Sequence, residues 1–108
     1  MRTGQKQTKY MQATYLTVEG EVEHIKPRNK KHFKSEELKA FIGPYVEMIK
    51  LPKTKKYLIA DENGKIKNLE INEVASAIWR ANFPVEQYAR NDGIILGNVI
   101  ICDFDMIK

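Results

Sequence analysis

Short runs of period-two alternation, each closed by a turn former or a proline, constrain this chain most. Residues 13–18 set Ala13, Tyr15 and Thr17 against Thr14, Leu16 and Val18, a strand pattern rich in β-formers. Glu19-Gly20 is a turn signal and residues 22–25 resume the extended pattern, so the segment reads as a β-hairpin. Pro27 has no amide hydrogen to give a ladder and ends the second strand. Residues 45–51 alternate again, with Tyr45, Glu47 and Ile49 against Val46, Met48 and Lys50, until Pro52 breaks the run. Residues 57–60 form another strand. Asp61-Glu62-Asn63-Gly64 then reads as a hairpin turn, because Asn-Gly tolerates positive φ, and predicts a return strand at 65–67. The most apolar stretch, 94–102, is interrupted only by Gly97-Asn98, and residues 99–102 read as a buried central strand.

Two segments carry the helical period instead. Ser35 is a suitable N-cap, since its hydroxyl can accept from a first-turn amide, and Glu36 and Glu37 bring the favourable charge to a helix start. Leu38, Phe41 and Ile42 fall at i, i+3 and i+4, and Gly43-Pro44 stops the helix. Asn72 can cap a second helix whose Val74, Ala77, Ile78 and Ala81 form an apolar face widened by Trp79 and Phe83. After Pro84, residues 85–90 read as one or two helical turns, and Asn91-Asp92-Gly93 as a turn.

The pattern predicts an α+β fold: a mainly antiparallel sheet of five to six strands with two main helices packed on it. Leu38, Phe41, Ile42, Val74, Ala77, Ile78, Trp79, Val99 and Ile101 are the expected core. A chain of 108 residues allows one such domain. Residues 1–10, polar and without periodicity, read as a flexible arm, with Met11 as an alternative natural start, and 11–108 as the domain. No apolar run approaches a membrane span, the start has no signal-peptide character, and a lone Cys102 fits a reducing compartment. The expectation is a small soluble cytoplasmic protein that does not engage a membrane.

The formal net charge is +4, and it is unevenly placed. Residues 1–34 hold eight basic residues against Glu19, Glu21 and Glu23, whereas residues 71–108 hold three against five acids. Two loops concentrate the basic residues: Lys26, Arg28, Lys30, Lys31 and Lys34 with His32 and Phe33 among them, and Lys53, Lys55 and Lys56 beside Tyr57. Basic loops carrying an aromatic can neutralise phosphates and stack a base. Arg28, Lys30, Lys31, Lys34, Lys53, Lys55 and Lys56 are therefore the candidate anion-binding residues, although lysine in a loop is also the ordinary solvating choice.

Other chemistries find little purchase. His24, His32 and Cys102 lack metal-finger spacing, and Asp103 with Asp105 at a chain end is ordinarily solvated. Cys102 in an apolar run reads as an inert core thiol. Ser76 has no nearby base and no nucleophile-elbow motif, and Asn72 with Glu73 is explained by helix capping. No glycine-rich loop precedes a helix with Lys-Ser or Lys-Thr. Catalytic residues and cofactors are not expected, and the chain reads as a binding protein rather than an enzyme.

Gly43-Pro44-Tyr45-Val46-Glu47 before a strand, Asn63-Gly64-Lys65, Ile71-Asn72-Glu73-Val74-Ala75 and the closing Gly97-Asn98-Val99-Ile100 together resemble a family of short phage- and mobile-element-borne proteins known only as a domain of unknown function. The likeness covers roughly residues 14–104 and lies in the order and spacing of the motifs. Pro44 stands where a second glycine is expected and Asn98 where aspartate is more usual. The resemblance implies a mobile-element or gut-bacterial setting and no catalytic residues. Two readings follow: an accessory protein of a mobile element or phage that binds a host protein or a small anionic ligand, or a small nucleic-acid-binding module that uses its basic loops.

Overall fold

The computed structural model describes residues 13–84 and 93–107. Five strands form one antiparallel sheet: β1 (Ala13–Leu16), β2 (Val22–Ile25), β3 (Val46–Leu51), β4 (Lys56–Asp61) and β5 (Val99–Asp103), in the spatial order β2-β1-β5-β4-β3. Helix α1 (Ser35–Phe41) joins β2 to β3, and α2 (Glu73–Asn82) lies between β4 and β5. A 3-10 turn, Phe104–Met106, follows β5. The α+β class and the pair of helices agree with the sequence pattern, with five strands. The arm at 1–10, the helical turns at 85–90 and most of the turn at 91–93 lie outside the described residues.

Alternation divides the core between the two faces of the sheet. Ala13, Ile25, Ile59, Ile100 and Cys102 pack with Leu38 and the half-buried Phe41 and Ile42 of the α1 region. Leu16, Leu51, Leu58, Ala60 and Val99 pack with Ala75 and Trp79 of α2. The helices thus cover opposite faces. The central strand β5 is buried because it is flanked by β1 and β4 and covered on both sides, which is what its near-continuous apolar sequence requires.

Several local expectations are corrected. No return strand forms at 65–67. Both edges of β4 are already occupied, by β3 and β5, so the place a returning strand would take is filled from far along the chain. The Asp61 carboxylate instead accepts from the Asn63 amide and from Lys67 Nζ, and residues 62–68 roll into successive turns with positive φ at Asn68 rather than at Asn63 or Gly64. The hairpin strand β1 stops at Leu16, and the Val18 amide donates to Asn98 Oδ1.

The buried side of α2 is rotated from the predicted one. Val74 is 43% exposed and Ala77 and Ala81 are exposed, while Ala75, Ser76, Trp79 and Asn82 are buried. Spacing of apolar residues alone misses this, because Ser76 and Asn82 enter the interior with their hydrogen bonds satisfied. Ser76 Oγ accepts from the Ile95 amide, and Asn82 Oδ1 accepts from the Lys53 amide. Ile78 and Ile101, also expected in the core, are half-buried. Asn72 does cap α2, accepting from the Ala75 amide. The cap of α1 is not Ser35, which is already helical: Lys34 holds the cap position, and its amide donates to the Glu37 carboxylate.

Candidate functional site

The register decides where the basic loops go. Ile25 faces Ala13, Ala13 faces Cys102 and Cys102 faces Tyr57, while Asp103 faces Lys56 and Lys56 faces Leu51. These residues run across one end of the sheet, so the 26–34 loop leaving β2 and the 52–55 loop joining β3 to β4 emerge from that same end. In the strand order β2 and β4 are three steps apart. At about 4.8 Å per step the loops stand roughly 14 Å from each other. The 3-10 turn lies between them: the Phe33 amide donates to the Met106 carbonyl at 2.8 Å and the Phe104 amide to the Lys55 carbonyl at 3.2 Å.

Both loops are held by side chains that the sequence reading gave other roles or none. In the first, Pro27 is buried and its carbonyl accepts from the Lys30 amide. Asn29 Oδ1 accepts from the amides of Lys31 and His32. Glu37 reaches back from α1 to accept from the Arg28 amide at 2.9 Å and the Lys34 amide at 3.0 Å. In the second, the Leu51 carbonyl accepts from the Thr54 and Lys55 amides, and Asn82 anchors Lys53 from the end of α2. Glu37, three residues after Lys34, had the spacing of a capping acid. The contact from Asn82 to Lys53 spans 29 residues and has no local sequence signal.

Arg28, Lys30, Lys31, Lys34, Lys53 and Lys55 are all exposed. Lys56 is different: it belongs to β4 and forms a salt bridge with Asp103, so its charge is already engaged. Counting Lys26 as well, the described residues at this end of the sheet include eight basic ones, against Glu36, Glu37, Asp103 and Asp105.

Lys30 and Lys55 have φ of 68° and 56°, in the left-handed region where a β-carbon is strained. Each basic loop therefore keeps a lysine at a position that suits glycine or asparagine better. Lys30→Gly and Lys55→Gly should each raise stability by about 0.5–1 kcal/mol, the relief of that strain less the added freedom of the unfolded chain. Urea denaturation reads the gain, and loss of stability in both variants would contradict it.

Glu37 is buried, and its carboxyl is held below the ordinary value of 4.5 first by the Arg28 and Lys34 amide hydrogen bonds, with a smaller attraction from both cationic side chains. Such bonds to a charged acceptor contribute about 1.5–3 kcal/mol each. Because folding lowers this pKa, the contribution is complete above the unfolded value and disappears as pH falls through the folded one. Glu37→Gln should therefore cost about 2 kcal/mol at neutral pH, since an amide keeps only one acceptor. The gap between variant and parent should narrow below pH 4.5. A gap independent of pH would show that packing, not charge, is what Glu37 supplies.

The alternative chemistries can be placed. Cys102 is fully buried, and burial, assisted by nearby Asp103, pushes its thiol up to about 12, so little thiolate is present at neutral pH. Cys102 should react with a thiol reagent only slowly in the folded protein and rapidly in denaturant, and rapid labelling of the folded protein would reopen a reactive role. Ser76 Oγ is occupied by the Ile95 amide. His24 is exposed on β2, and no group of three His, Cys, Asp or Glu among the described residues could hold a metal ion. No helix among them is long and apolar enough to cross a membrane. On the α2 face a groove of about 560 Å³ is lined by Ile49, Ala60, Trp79, Phe83 and Ile95 together with Glu47, Lys50, Asp61, Glu62 and Lys65. None of the lysines of the 26–34 and 52–55 loops lines it.

No protein-family model, curated protein or solved structure matches the chain.

Proposed function

We propose that this chain is a non-enzymatic accessory protein that acts by binding, and that its partner is a nucleic acid whose phosphates meet the basic end of the sheet. The observation that carries the reading is the emergence of both basic loops from one end of the sheet, where basic residues outnumber the acidic ones among the described residues. A small anionic ligand needs a concave site that encloses it; the groove on the α2 face holds no lysine of the two basic loops, and its Lys50 and Lys65 are offset by Glu47, Asp61 and Glu62. Loops about 14 Å apart suit a polymer whose phosphates repeat along a backbone. Hydrogen bonds from loop amides to the side-chain oxygens of Asn29, Glu37 and Asn82 fix both loops in advance, which lowers the ordering cost of binding. A mobile-element setting comes from the resemblance of the Gly43–Glu47, Ile71–Ala75 and Gly97–Ile100 segments and is part of the same proposal.

The test is a salt titration. Four phosphate contacts, from Lys30, Lys31, Lys53 and Lys55, give a slope of log K against log salt of about −3 to −4 and a loss of roughly 100-fold between 50 and 200 mM salt. Affinity insensitive to salt, or no binding at the lowest salt, contradicts the proposal.

A second reading has one observation in its favour. The outer strand β3 is six residues long, and Met48 and the preceding Tyr45 are 46% and 61% exposed, so a protein partner could add a strand there. Such a partner would bind with little salt dependence, which separates the two readings.

A further inference from the structure

We infer that the nucleic acid taken by the basic end is single-stranded, with an unpaired base stacking on the aromatic pair Phe104–Tyr57; this rests on the binding reading above. The 3-10 turn carries Phe104 into the space between the two basic loops, and its amide hydrogen bond to the Lys55 carbonyl fixes it beside the second of them. Its ring lies 4.8 Å from that of Tyr57, tilted by 54°. Both residues are only half-buried, although the core nearby is already closed by Met106, which is 2% exposed, and by Cys102. Lys50 stands opposite Tyr57 in the ladder and is exposed. Partly open aromatic surface thus lies on the turn that is hydrogen-bonded to Lys55 of one basic loop and to Phe33 of the other.

A base offers a π-face to such a surface only when it is not stacked inside a duplex. Lysines neutralising the backbone on both sides of an aromatic platform form the arrangement by which single strands are held with little sequence preference. A duplex could use the lysines but not the rings. The inference therefore predicts a difference between the two polymers, where phosphate contact alone predicts similar behaviour.

The experiment measures anisotropy of fluorescein-labelled oligothymidylate of about 15 nucleotides, within the site sizes of small single-strand binders, and of a duplex of the same length, with the full chain. The parent should favour the single strand. Phe104→Leu keeps an apolar side chain beside Tyr57 and should lower single-strand affinity roughly tenfold, with the salt slope and duplex affinity unchanged. Phe104→Tyr should restore the loss, and melting curves of both variants confirm that they fold. Equal affinity for the two polymers, or an unchanged single-strand affinity in Phe104→Leu, overturns the inference. If Lys30→Gln with Lys31→Gln still reduces the salt slope in that case, the phosphate reading stands alone. No binding of either polymer at low salt removes both.

Discussion

Asn72→Ala should lower the stability of this protein by about 3–5 kcal/mol, more than most single changes outside the apolar core. Asn72 is fully buried. Its Oδ1 accepts from the Ala75 amide at 3.0 Å, while Nδ2 donates to the Leu16 carbonyl at 3.2 Å and the Gly97 carbonyl at 2.9 Å. One side chain thus joins the start of α2 to the end of β1 and to the segment entering β5. Loss of a helix cap costs about 1 kcal/mol, and each buried carbonyl left without its donor adds about 1–3 kcal/mol. Gly97, which supplies one of these carbonyls, is itself hard to replace: its φ is +82°, and a β-carbon there would lie 2.7 Å from Leu69 Cδ1. Asn72→Asp is the informative comparison. Aspartate caps a helix as well as asparagine but donates to neither carbonyl. It should be at least as damaging as alanine, and urea denaturation of both variants checks this. An aspartate variant close to the parent would mean that capping alone explains the residue.

Asn72 also marks how far the fold was legible. Its capping role is local and followed from its place before a helical period. Its two long-range donations, to residues 56 and 25 positions away, have no local signature. The hairpin of β1 and β2 was readable because its partners are neighbours in sequence, and β5 because only a strand covered on both faces tolerates so apolar a run. The rotation of α2 was not readable, since Ser76 and Asn82 are polar by type and become interior only through partners that the fold brings to them. The missing return strand has the same origin: β5, not the next segment, completes the flank of β4. At the basic end, exposure of the loop lysines followed from their setting between turns. Their convergence did not, because it depends on β5 separating β1 from β4, and the pairing of Lys56 with Asp103 joins residues 47 positions apart.

Replacing Lys30, Lys31, Lys53 and Lys55 together by glutamine should reduce nucleic-acid affinity by at least tenfold near 0.1 M salt and flatten the salt slope by about three. Stability should change little, because exposed lysines contribute little to it. The paired change at Lys30 and Lys31 alone should remove about two from the slope. Lys56→Gln should have the smallest effect on the slope, since its ammonium group already sits against Asp103. A fall in affinity for Lys56→Gln equal to that of the four-lysine variant would show that general charge, rather than the two loops, governs binding.

The most direct measurement is amide chemical-shift mapping as oligothymidylate is added to the isotopically labelled chain at low salt. Binding at the basic end predicts perturbations concentrated at residues 26–34, 52–57 and 103–107 that disappear as salt is raised. Shifts concentrated along β3 or around Trp79 and Phe83, with residues 26–34 and 52–57 silent, would contradict it.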